Sequence, residues 1–144
     1  MKYTHSNTNE PGKHTSGKNN LPCPFCHPDL ITEPILESDT AFAIFDKYPV
    51  SDGHALVIPR RHCSSYFGLT TAEQAACWQL LNDVAAIIRE RFNPDGFNIG
   101  INIGHAAGQT IDHVHLHLIP RYDGDVEEPE GGVRGVIPWK RAYF

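Results

Sequence analysis

Residues 113–119 read His-Val-His-Leu-His-Leu-Ile, three imidazoles alternating with apolar side chains. On a β-strand successive side chains point to opposite faces, so His113, His115 and His117 line one face while Val114, Leu116 and Leu118 bury the other. Imidazoles are poor core material because their ring nitrogens need partners when buried. An anion, a metal or both would satisfy them. The outer pair lies about 13 Å apart along an extended strand, whereas a Zn–N bond is only about 2.1 Å long. Two neighbours can share an ion, all three do not, and at least one histidine has another task. Just upstream, Gly104, Gly108, Gln109 and Thr110 offer small residues, accessible backbone N–H groups and two side-chain donors.

Working outward, the pattern predicts a strand from Ile111 to Arg121, preceded by a small-residue loop over 104–108 and an alternating strand from Phe97 to Ile103. Thr70 followed by Glu73 fits a capping box, and Ala72, Ala76, Leu80, Val84, Ile87 and Ile88 recur at helical spacing to about Phe92. Asn93-Pro94-Asp95-Gly96 ends that helix. Ala41–Phe45 and His54–Pro59 read as two strands joined by turn residues, a hairpin. One long helix between two pairs of β-segments points to an antiparallel sheet in an α+β fold.

The chain has 144 residues, 40% hydrophobic and 20% charged, which fits one globular domain. Residues 1–20 lack apolar periodicity and read as a disordered leader, 21–122 as the domain, and 123–144 as a tail too apolar for a linker, expected to pack on the domain or on a partner subunit. No apolar run approaches the roughly 20 residues of a membrane span, and the N-terminus has no basic-then-apolar signal. A cytoplasmic protein without membrane contact is expected. The net charge of −5 argues against nucleic acid as a partner. Asp123, Asp125, Glu127, Glu128 and Glu130 read as a solvated acidic loop.

Cys23, Cys26, Cys63 and Cys77, without a secretory signal, read as thiols or metal ligands rather than a disulfide framework. Cys77 sits within the helical pattern and is expected in the core. Cys23-Pro-Phe-Cys26 has zinc spacing but supplies only two ligands, and a redox pair lacks a thioredoxin-like context.

The motif strongly resembles the signature of the histidine triad family, His-φ-His-φ-His-φ-φ with φ apolar, and 113–119 match at every place. The resemblance runs on through Ala107-Gly-Gln-Thr110, Asn102, Gly53-His-Ala-Leu-Val-Ile-Pro-Arg-Arg-His62, Pro120 and Arg121, covering about residues 21–121. It implies a HIT-like fold, with about five antiparallel strands, one long helix and one or more short ones. By the same resemblance His115 is the nucleophile in nucleotidyl transfer, and His117, Gln109 and Thr110 donate to the phosphate and leaving group, with help from Asn102. Asp46 takes the ribose-binding position, although alone it reads equally as a turn cap. Phe42 and Ile44 are candidate walls for a purine, or plain sheet core, and His54 is a hydrogen-bond partner behind the triad. The resemblance also completes a structural zinc site, Cys23, Cys26, His62 and His113, with His27 and Cys63 as substitute ligands, and implies a homodimer.

Val114 and Leu116 stand where uridylyltransferase relatives carry prolines, which disfavours that branch. The expected activity is hydrolysis of dinucleoside polyphosphates through a nucleotidyl-histidine. Purine nucleoside phosphoramidates are the alternative substrate. Readings of another class are a nucleotide-binding scaffold without turnover and a zinc module whose histidines all serve metal.

Overall fold

The computed structural model describes residues 22–27 and 33–143; the expected leader lies outside them. Strands β1 (Leu36–Glu37), β2 (Ala41–Phe45), β3 (Ala55–Pro59), β4 (Gly96–Ile101) and β5 (Leu116–Arg121) form one antiparallel sheet in the order β1-β2-β3-β5-β4. Helix α1 (Thr71–Phe92) covers one face of it, the α+β arrangement expected. Among the described residues no helix is long and apolar enough to cross a membrane.

Register explains how the two faces divide. Leu56 pairs with His117, Ile44 with Leu56 and Gly100 with His117, so these four form one row across the face away from α1. The alternate residues Ala41, Ala43, Ala55, Val57, Leu116 and Leu118 face α1 and meet Cys77, Leu80, Leu81, Val84, Ala85 and Ile88. Alanines beneath the helix let it approach closely, and each large aliphatic side chain buried there contributes about 1.5–3 kcal/mol. Cys77 is fully buried as expected, and burial pushes its thiol up to about 11. Ala72, expected on this stripe, is exposed and Ile87 half-buried, because the buried face is centred one residue further round, on Leu81 and Ala85.

The helix start is the expected capping box. Thr70 Oγ1 accepts from the Glu73 N–H at 3.1 Å and Glu73 Oε2 accepts from the Thr70 N–H at 2.8 Å. Glu73 also holds the Arg61 guanidinium at 2.7 and 2.8 Å, which anchors the segment beside His62 to the helix. The Thr70→Ala variant is expected to lose about 1 kcal/mol, read as a melting temperature roughly 3 °C lower by circular dichroism.

The strand carrying the motif is shorter than expected. β5 begins at Leu116, so His113 and His115 lie in irregular chain just before it. Regular pairing with β3 spans Val57↔Leu116 to Ala55↔Leu118. Beyond it the next carbonyl, Pro59 O, is taken by the His113 ring at 2.7 Å, and Pro59 has no N–H to offer a ladder. A single backbone bond, Val114 N–H to Cys63 O at 2.7 Å, holds the rest. β4 likewise stops at Ile101 rather than Ile103, and the following loop contains a 3₁₀ turn at His105–Ala107.

Candidate active site and metal centre

Three chain segments converge on the face away from α1. Cys23–Cys26 approaches from the N-terminal side, His62 follows β3, and 113–117 leads into β5. His113 is fully buried. Its Nε2 donates to Pro59 O, which leaves Nδ1 as the unprotonated nitrogen. That nitrogen lies 3.4 Å from Cys23 Sγ, 3.5 Å from Cys26 Sγ and 3.3 Å from His62 Nδ1, and Cys26 Sγ lies 3.3 Å from His62 Nδ1. All four ligand atoms fall within 4.8 Å of one another. Edges of a tetrahedron built on Zn–S and Zn–N bonds are about 3.3–3.8 Å, so this donor set is the right size and chemistry for a metal ion. Burial, and then the neighbouring Cys23, raise the Cys26 thiol pKa, as two thiols side by side do without a cation between them. Neither His27 nor Cys63 belongs to the cluster; Cys63 Sγ donates to Ser65 O.

His115 is 8% exposed, and its Nδ1 donates to the backbone oxygen of His113 at 2.9 Å. The neutral ring therefore keeps Nε2 as a free lone pair. Phe25, which sequence reasoning passed over, packs edge-on against both His115 and His113, at centroid distances of 5.2 and 5.8 Å. Its place between two candidate metal ligands was the available signal: a closed metal loop fixes whatever lies inside it.

His117 belongs to a chain of hydrogen bonds. The Val50 N–H donates to His54 Nδ1 at 3.2 Å, and His54 Nε2 lies 3.0 Å from His117 Nδ1. A neutral His54 that accepts at Nδ1 carries its proton on Nε2, so it donates to His117, which in turn carries its own proton on Nε2. Asp46 Oδ2 stands 3.5 Å from His54 Nε2. Asp46, His54 and His117 are close enough together to suggest a second metal cluster. However, a ligating His54 Nε2 would have to be an imidazolate while Nδ1 still accepts from Val50, so the geometry is that of a hydrogen-bond relay.

Burial lowers the His54 pKa, against the pull of Asp46, and burial with the charges of His115 and His54 brings His117 down to about 4. The unfolded chain protonates both rings near pH 6.5. The folded chain resists, so stability is lost as pH falls from about 6.5 towards 4 and is independent of these rings above that window. Melting temperatures measured from pH 7 to 5 should fall, and fall less steeply in His117→Gln; parallel slopes would count against this assignment.

The remaining expected residues are distributed around this core. Asp46 Oδ1 accepts from the Tyr48 N–H at 2.9 Å, so it caps the turn with one oxygen and faces His54 with the other. Asn102 follows β4 and is half-buried. At Gly100, beside His117, an added Cβ would meet nothing within 4 Å, which leaves room over the sheet. Thr110 is exposed, on a cleft of about 450 Å³ shared with Cys23, His62 and Asp112. Gln109 differs from expectation as a phosphate donor. Its Nε2 donates to Ser64 O at 2.7 Å and Ile111 O at 3.0 Å, and its Oε1 accepts from the Gly104 N–H at 2.8 Å. Both amide protons are committed to closing the loop. Phe42 and Ile44 are only 5% and 9% exposed and pack with Phe25, Leu56 and Ile58. They are core, presenting edges rather than open walls.

Comparison with known proteins accords with this geometry. The family model of the HIT domain matches residues 30–124. The bis(5'-adenosyl)-triphosphatase of Dictyostelium discoideum is 36% identical over 67% of this chain and 64% of that enzyme, so the chain spans somewhat under two thirds of the relative's length. A HIT family protein from Bacillus anthracis superposes with a TM-score of 0.67 at 39% identity, covering 72% of this chain and 75% of that one. A zinc-bound histidine triad family protein from Mycobacterium smegmatis superposes with a TM-score of 0.61 at 33% identity, covering 75% and 72%. With the domain match spanning most of the fold and both imidazole clusters, the chain belongs to the histidine triad family.

Proposed function

We propose that this protein is a nucleotide hydrolase that cleaves dinucleoside polyphosphates at an α-phosphate through a nucleotidyl-His115 intermediate. The observation that carries the proposal is the opposed pair of tautomers: a lone pair on His115 Nε2 beside an N–H on His117 Nε2. His115 Nε2 attacks the α-phosphorus while the bond from phosphorus to the bridging oxygen breaks, and the leaving phosphate departs as an anion with that electron pair. His117 donates a hydrogen bond to the oxygens gathering charge, the kind of preorganised contact that contributes most to such transfers. Water then adds hydroxyl to phosphorus, the N–P bond returns its pair to His115, and the water's second proton leaves to solvent.

A His117 held neutral donates a hydrogen bond without surrendering its proton. A phosphate leaves without one, whereas an amine needs one, which favours the polyphosphate over the phosphoramidate alternative. The relative named as a bis(5'-adenosyl)-triphosphatase supports the same choice. In this reading Asp46 accepts from the ribose hydroxyls, Asn102 and Thr110 contact phosphate, Phe42 and Ile44 border a purine, and Gln109 holds the loop that aims them. A zinc ion on Cys23, Cys26, His62 and His113 would be structural, and a histidine triad relative that binds zinc supports that choice of metal. Those four ligands leave no position for water, and His113 serves the metal instead of the phosphate.

We extend the proposal to a homodimer. β4 is a sheet edge carrying Ile99 at 40% exposure, an edge that a second copy could cover. Light scattering in solution reads this directly. For the reaction, the test is side-by-side rates on diadenosine triphosphate and adenosine phosphoramidate, with acid-quenched mass spectrometry of the peptide containing His115. Faster turnover of the phosphoramidate would reverse the substrate order. Micromolar nucleotide binding without any turnover would favour a scaffold.

A further inference from the structure

The tail after β5 is folded. Arg121, at the end of β5, holds Asp125 through two contacts of 2.7 Å and Asn98 through one of 2.6 Å. Arg134 then donates to the main-chain oxygens of Lys140 and Arg141 at 2.9 and 3.1 Å and lies over the Tyr143 ring at 4.5 Å. Gly131 makes this possible: with φ +85° and Arg141 O only 2.6 Å from where a Cβ would sit, no side chain fits. Between this cap and the sheet face away from α1 lies a cavity of about 340 Å³, lined among others by Val50, Asn98, Ile119, Arg121, Val126 and Arg141.

We infer that this cavity is the subsite for the leaving nucleoside phosphate of a dinucleoside polyphosphate, an inference that rests on the hydrolase reading above. Its position comes from register. Ile119 follows His117 by two residues on the same sheet face, about 7 Å along the strand, and Val50, which holds His54, lines the cavity too. Its size is at the low end for small-molecule sites, fitting one nucleoside and not two.

Charge separates it from the other candidate. Arg121 is already paired with Asp125, but among the described residues the Arg141 guanidinium pairs only with Glu128, at 3.7 Å with that carboxylate 82% exposed, so a bound phosphate can replace Glu128 at little cost. Val50, Ile119, Val126 and Pro129 give apolar surface for a base. The cleft beside Thr110 instead has Asp112 and neither Arg nor Lys in its lining, an unfavourable path for a polyanion. A phosphoramidate, whose leaving group is a small amine, would make no use of the cavity.

The test compares kcat/KM on diadenosine triphosphate and on adenosine phosphoramidate for wild type, Arg141→Gln and Val126→Trp, the last intended to plug the cavity. The ratio of the two values is expected to fall about tenfold in Arg141→Gln, the effect of losing one charge-assisted contact, and to fall likewise in Val126→Trp. A ratio that stays constant in both variants overturns the subsite, whether the separate rates hold or decline together. Wild-type protein that turns over neither substrate overturns the hydrolase reading itself, and the subsite with it.

Discussion

The His115→Ala protein is expected to release AMP from diadenosine triphosphate about 10⁴-fold more slowly than wild type or worse, since it lacks the atom assigned to the proposed intermediate. The argument rests on which nitrogen is free. His115 Nδ1 is bound to the His113 carbonyl at 2.9 Å, so the ring can be neither flipped nor replaced by a neighbour. His117 presents an N–H, and His113 turns its lone pair towards two thiols and His62. The variant also removes a ring that packs against Phe25, so its melting temperature must be measured alongside. A folded variant that binds diadenosine triphosphate with near wild-type affinity and fails in kcat is the expected outcome. Recovery of a nucleotidyl adduct from this variant, or turnover within tenfold of wild type, would remove His115 from its role.

Much of this was legible because the sequence patterns are local. The capping box at Thr70 and Glu73, the αL residue Asn93 that ends the helix, and the hairpin of β2 and β3 follow from periodicity and turn chemistry. That the three imidazoles would not share one set of partners was foreshadowed by their spacing, since alternating positions spread along a chain cannot all reach one ion. What sequence hid was competition between hydrogen-bond partners. The His113 ring takes the Pro59 carbonyl and shortens β5 to Leu116. Gln109 spends its amide on Gly104 and Ile111 within its own loop and on Ser64, 45 residues away, a combination that no periodic pattern reveals. β1 escaped because two residues are too few to show a period. The folded tail escaped because its order comes from Arg134 closing onto carbonyls and from Gly131, not from any repeat.

Removing the candidate metal ligands should have the largest effect on stability. Cys23→Ser and Cys26→Ser are each expected to abolish stoichiometric zinc and to destabilise the protein by about 4 kcal/mol, a melting temperature lower by roughly 10 °C. Three segments distant in sequence converge at this cluster, and ligands brought together by folding return their binding energy as stability. The same change should lower kcat about 10- to 100-fold, far less than loss of His115, because in the proposed site the metal would orient the segment carrying His115 from behind. The path is short: His113 gives its carbonyl to His115 Nδ1, and Phe25, held between Cys23 and Cys26, packs on the His115 ring. Elemental analysis should find one zinc per chain in wild type and none in either variant. Metal-free protein that melts at the wild-type temperature would show the cluster to be ornamental to the fold. Two zinc ions per chain would mean that His54 gives up the Val50 amide to ligate, and the relay that keeps His117 a donor would have to be abandoned.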